Sequence, residues 1–148
     1  MKSILLTCTC VIFYATLSAQ GVFSNRTQSI LEKVIQDSAG EQYSWTHTLL
    51  ETPGFGQAKN KFHEIYGQIR NSIITTGGRK TFILTGQYED PTEANKCTHV
   101  IFSLLPGVGD VKKLKVELSL RKESRGWKVA LSVYDHELKE EEGAVTVN

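Results

Sequence analysis

Cysteine is scarce in this chain, and its placement makes it scarcer: of three cysteines in 148 residues, Cys8 and Cys10 fall within the first nineteen and only Cys97 lies beyond. An excess of charge of one sign is lacking too, with 17 lysines and arginines against 16 aspartates and glutamates. No apolar stretch reaches the ~20 residues that a membrane-spanning helix needs. Each absence excludes something. A single cysteine cannot build an internal disulfide framework, so stability has to come from a hydrophobic core. Balanced charge leaves no global basic field, which argues against nucleic acid as the main partner. No linker, internal repeat or low-complexity tract divides the chain, so a single domain is expected.

The longest apolar run stands at the amino terminus. Met1 and Lys2 give a short positive start, Ile4 to Leu17 is apolar and uncharged, and small residues follow at Ser18, Ala19 and Gly21. That order reads as a secretory signal peptide, residues 1–19, cut near Ala19 or Gly21. The expectation is a secreted, extracellular protein that no membrane holds once the signal is removed. Cleavage takes Lys2, Cys8 and Cys10 with it and leaves sixteen basic residues against sixteen acidic ones. The remaining thiol, Cys97, is expected buried as a small hydrophobe, with pairing between two chains as the alternative and a homodimer as its consequence. Residues 20–137 make the domain, and the acidic end, residues 138–148, reads as a solvated tail.

Within the domain, helices come first and strands after. In "NRTQSILEKVIQDSAG" Asn25 is placed to cap a helix, Gln28 to reach back to it, and Ile30, Leu31, Val34 and Ile35 form one stripe, with Gly40 as the stop. The stretch "EQYSWTHTLLETPGFG" is ambiguous; Trp45, Leu49 and Leu50 are expected to reach the core from a short helix or an irregular loop before Pro53, Gly54 and Gly56 break the chain. A second helix is predicted from Ala58, Phe62, Ile65, Ile69 and Ile73, spaced four, three, four and four, with Gly77 and Gly78 ending it. Strands are predicted at Lys80 to Glu89, Thr98 to Leu105, Lys112 to Lys122 and Gly126 to His136.

The third and fourth of these strands alternate strictly. Leu114, Val116, Leu118 and Leu120 face one way while Lys113, Lys115, Glu117, Ser119 and Arg121 face the other; Trp127, Val129, Leu131 and Val133 repeat the arrangement beyond a short turn at Glu123 to Arg125. Such a pattern belongs to an antiparallel sheet covered on one side and wet on the other. The expected fold is α+β, with amino-terminal helices packed on one face of a curved antiparallel sheet of at least four strands.

Helices in front of an antiparallel meander whose last strand opens with "GWKV", Gly126 to Val129, make the chain resemble the NTF2-like (nuclear transport factor 2-like) superfamily, in particular its small secreted nematode type. The resemblance spans Thr27 to Asp135 and implies a cone between helix and curved sheet that holds a small apolar ligand, or a sheet that binds a protein partner or a second copy. The cystatin type of cysteine-protease inhibitor has a similar architecture and is the alternative. Of its three contact segments only the amino-terminal glycine has a counterpart, Gly21; no Gln-x-Val-x-Gly occurs, and Trp127 follows Gly126 rather than proline.

Signs of chemistry are few. "GGRKT", Gly77 to Thr81, shares letters with a phosphate-binding loop, but the loop must follow a strand and open a helix with a fixed spacing; the segment reads as a turn. His47, His63, His99 and His136 form no local metal-ligand pair, so no metal and no cofactor are expected. Cys97 and His99 fall on one face of a strand, yet two ligands do not make a site. His63, Tyr66, Tyr88 and His99 are the pocket candidates, able to supply acid and base if the cone were the site of a small enzyme of isomerase or hydratase type. No paired carboxylates are readable by spacing, and a noncatalytic binding protein is the expectation.

Two surface features complete the reading. Lys113, Lys115, Arg121 and Lys128 cluster on or beside one hairpin and are candidates for meeting an acidic partner or a glycan. Asn25-Arg26-Thr27 is an acceptor sequence for asparagine-linked glycosylation in an exported chain.

Overall fold

Two stretches with apolar residues three and four apart are helical in the computed structural model, which describes residues 27–38, 43–76 and 79–135. The signal peptide, Asn25, Gly40, Gly77, Gly78, His136 and the acidic tail lie outside the described residues. Helix α1 covers residues 27–37 and buries Leu31, Val34 and Ile35. Helix α2, Phe55–Arg70, buries Ala58, Phe62, Ile65 and Ile69, the stripe that its spacing predicts.

The stripe ends one member early. Ile73 is not on the helix: it opens a strand and is 53% exposed. The helix closes because the amide of Asn71 donates to the carbonyl of Gly67 and that of Ser72 to Ile69, while the Ser72 hydroxyl donates back to the carbonyl of Gln68 at 2.7 Å. The run that follows, Ile-Ile-Thr-Thr, is β-branched throughout and favours an extended backbone.

Six strands form one sheet: β1 (Ser44–Thr52), β2 (Ile73–Thr76), β3 (Lys80–Gly86), β4 (Cys97–Leu105), β5 (Lys115–Glu123) and β6 (Gly126–Tyr134). Their order across the sheet is β1-β6-β5-β4-β3-β2, and every neighbouring pair is antiparallel. The architecture is α+β, helices against a curved, closing antiparallel sheet. The ambiguous middle stretch is thus neither helix nor loop but the edge strand β1. Its register on β6 slips between Thr48 and Leu50, so a bulge at Leu49 reverses the parity of the faces: Trp45 and His47 precede it on the helix side, Leu50 and Thr52 follow on that side.

The predicted strand ends also shift. β3 stops at Gly86, leaving Tyr88 on the connection that follows, and β5 starts at Lys115 because Gly109–Lys113 is a 3-10 helix. The core lies between the helices and one face of the sheet. Phe62, Phe82 and Phe102 meet there with Leu118, Leu120 and Leu131, all essentially inaccessible. Removing one of these rings would cost ~3–5 kcal/mol. Cys97, expected in the core, is exposed. It pairs with Arg121 in the face that points away from the helices, since Thr98, Val100 and Phe102 take the inward positions of β4.

Candidate functional site

Helical spacing brings Lys59, His63 and Tyr66 to one side of α2, and the connection between β3 and β4 lays Tyr88 and Asp90 over them. The Tyr88 hydroxyl donates to Asp90 Oδ1 at 3.0 Å and stands 3.1 Å from His63 Nδ1. A phenol has one hydrogen, and here Asp90 receives it; the histidine contact is therefore made by an Nδ1–H donating to the phenol oxygen. Lys59 closes the other side of Asp90 with a 2.7 Å ion pair. The Tyr66 and Tyr88 rings pack 4.5 Å apart, and Tyr66 leans in turn on Phe102, 5.7 Å away.

Electrostatics follow from this arrangement. Burial, then the hydrogen bond and charge of Asp90, push Tyr88 up to about 12. The hydrogen bonds from Lys59 and then Tyr88 hold the Asp90 carboxyl below its usual range. At neutral pH the cluster is a protonated phenol with its hydrogen committed and an ionised carboxylate closed by an ammonium. Such a set fastens a loop to a helix; it does not leave a poised proton donor or acceptor at Tyr88 or Asp90.

Three of the four pocket candidates, His63, Tyr66 and Tyr88, thus come together. His99 does not join them. It lies opposite Ser119 on the outer face, exposed, with the sheet between it and the cluster, because odd-numbered residues of β4 point away from the helices. Lys59 and Asp90 belong to the cluster and have no sequence pattern of their own; a loop crossing a helix brings them into contact.

The outer face of the sheet has two halves. Over β1, β6 and β5 runs a groove of about 260 Å³ whose floor is Ser119, Ala130 and Ser132 and whose walls are Glu117, Arg121 and Lys128. Three of the surface cations sit on this face, while Lys113 lies off it in the 3-10 helix. Their settings differ. Lys115 donates to Ser103 Oγ at 2.9 Å. Lys128 stands 3.7 Å from both Glu51 and Glu123. Arg121 has no ion-pair partner among the described residues. Tyr134 donates to Glu117 at 3.0 Å, and burial together with that carboxylate pushes the phenol up to about 12. The half is mixed in sign, not basic.

The other half, over β4, β3 and β2, is apolar. Ile73, Ile83 and Leu105 are direct partners across three strands, and Ile101 lies four residues before Leu105 on the same face of β4, with Ser103 between them. They are 53%, 52%, 45% and 43% exposed. Sequence reasoning missed this row. The available signal was "KTFILTG", in which Phe82 and Leu84 fill the inward positions and a β-branched apolar residue, Ile83, is left for the wet side.

A second hollow, about 240 Å³, opens between α1, α2 and β1, with Ile30, Leu49 and Ile65 among apolar residues and Thr27, Lys61 and Gln68 among polar ones. Among the described residues no group of three or more metal-binding side chains is gathered, and no helix is long and apolar enough to cross a membrane. No family model, no curated protein and no solved structure matches the chain.

Proposed function

We propose that this is a secreted, noncatalytic binding protein of the NTF2-like kind, and that it engages another protein through the outer face of its sheet. The observation that carries the reading is the apolar row Ile73, Ile83 and Leu105, with Ile101 farther along β4 opposite Glu117, left open to solvent next to a groove of both charges. Contiguous exposed apolar side chains rimmed by polar ones are the usual mark of a protein interface. The face is large enough. The 47 residues of its six strands, at ~3.3 Å rise and ~4.8 Å spacing, span roughly 740 Å², close to the ~800 Å² per partner of a standard interface. A second copy suits it, because a surface holding Arg121 and Lys128 beside Glu117 and Glu123 can meet itself about a two-fold axis with unlike charges opposed.

Support for the kinship is the meander of β2 to β6 after α2, whose last strand opens with "GWKV". Trp127 bears against the cystatin alternative: it is buried against Phe55, with ring centroids 4.8 Å apart, and is not held out on a hairpin tip. The test is sedimentation velocity over a range of concentrations on the wild type, Ile83→Asp and Ile101→Asp. A heavier species that both substitutions reduce to the single chain supports the reading. Association indifferent to both would place the contact elsewhere.

A second reading has its own observation. The apolar side of the hollow between α1, α2 and β1 suits a small apolar molecule, the ligand that a cone-shaped member of the family would take. Phe62, Phe82 and Phe102 already fill the space deeper in, between α2 and the sheet, which favours the outer face.

A further inference from the structure

One end of the sheet gathers cations that neither the outer face nor the aromatic cluster uses. β2 ends and β3 begins at this end, with Thr76 opposite Lys80. β4 leaves the sheet at Leu105, opposite Ile83, and so runs toward that same end on the neighbouring strand. There the segment 106–113 turns back, with Lys112 and Lys113 in the last turn of the 3-10 helix. Arg79, Lys80, Lys112 and Lys113 are all exposed, and none takes part in the ion pairs among described side chains, whose cations are Lys59, Lys61 and Lys128. The nearest described carboxylate, Glu32, is engaged by the backbone: it accepts the Thr75 amide at 3.1 Å.

Two features define the chain at Arg79 and Lys112. Arg79 has φ of 63°, in the left-handed region that favours glycine, and its amide is tied to the Thr76 carbonyl at 3.1 Å. The segment just before it supplies two glycines, yet the strained position is occupied by arginine. Lys112 lies with its stem against Gly107: a Cβ there would be 3.7 Å from Lys112 Cγ.

We propose that this end of the sheet is a binding site for a sulfated glycan chain, recognised by Arg79, Lys80, Lys112 and Lys113. Clustered cations without carboxylate partners bind polyanions by charge and counterion release. Arginine adds the planar fork that matches the oxygens of a sulfate. Nucleic acid fits less well. Neither 77–81 nor 106–113 contains an aromatic residue to stack a base, and the chain's formal net charge is only +1. A bilayer is the competing anionic surface, because Leu105 and Val108 are exposed beside the cations, and the vesicle arm of the test separates the two.

The experiment uses the full secreted chain and heparin as the probe, with binding measured at several salt concentrations. Two doubly charge-reversed variants, Lys112→Glu with Lys113→Glu and Arg79→Glu with Lys80→Glu, are compared with a control of equal charge change, Lys96→Glu with Arg125→Glu, at the opposite end of the sheet. Wild-type circular dichroism is required of each. The expected result is heparin binding that each test variant weakens at least ~10-fold, with a shallower salt dependence, while the control stays within ~3-fold of wild type. The proposal is overturned if the wild type does not bind heparin, if the control falls as far as the test variants, or if duplex DNA or anionic phosphatidylserine vesicles bind more tightly than heparin.

Discussion

The phenol oxygen of Tyr88 lies 3.1 Å from Nδ1 of His63, joining the connection after β3 to the middle of α2. With Asp90 receiving the phenol hydrogen and Lys59 closing on Asp90, the contact works as a fastening. Tyr88→Phe keeps the ring on Tyr66 and deletes both hydrogen bonds. It should lower stability by ~1 kcal/mol and speed amide exchange selectively in residues 87–96, with association through the sheet unchanged. Denaturant unfolding and hydrogen exchange check both parts.

Alkali should weaken the fold through two tyrosines. Tyr88 and Tyr134 are each raised from 10.0 to about 12 in the folded chain. The unfolded phenols therefore ionise first, so the stability from these groups is complete below about pH 10 and is lost as pH rises from about 10 to about 12. Tyr134→Phe should make that alkaline loss shallower in pH-dependent unfolding. Asp90 has the opposite sign: its lowered carboxyl contributes above the ordinary range near 3.8 and loses its contribution as pH falls through the lowered value.

Two glycines should respond in opposite directions. At Gly126 φ is 138°, and a Cβ would stand 2.4 Å from the Thr52 carbonyl oxygen, so Gly126→Ala should cost ~2–4 kcal/mol. At Gly67, inside α2, a Cβ meets nothing within 4 Å, and Gly67→Ala should stabilise by up to ~1 kcal/mol. Thermal unfolding of the two variants separates these outcomes. The glycine of "GWKV" thus has a local reason: it is where β6 passes beneath the end of β1.

How far the sequence reached follows from which signals are local. β5 and β6 alternate without interruption, so their faces and hairpin were legible, as was the stripe of α2 through Ile69. β1 was not, because the bulge at Leu49 breaks the alternation by which a strand is read, and its partner β6 lies 75 or more residues away in the register, as at Thr52 and Trp127. Ile73 was misassigned because it keeps the helical interval from Ile69; the backbone and hydroxyl bonds of Ser72 end the helix before that interval matters.

The candidate site was legible only in part, for the same reason. His63 and Tyr66 share a helix face, so their proximity is a matter of spacing, whereas Tyr88 joins them through a loop whose path no pattern encodes. His99 was misplaced for want of one parity: with Thr98, Val100 and Phe102 inward, it has to face outward. The same parity exposes Cys97, for which composition alone suggested burial. The apolar row on the outer face depends on the pairing of β2, β3 and β4, and single-strand patterns do not reveal which exposed residues become neighbours.

Native mass spectrometry of the full chain secreted from eukaryotic cells, with and without reductant, tests the central claim most directly. The account predicts a species at twice the mass of one chain, or a chain bound to another protein, that carries no small-molecule mass and is reduced to the single chain by Ile83→Asp. A single chain retaining a lipid-sized mass would contradict it and make the hollow beside α1 and α2 the working site.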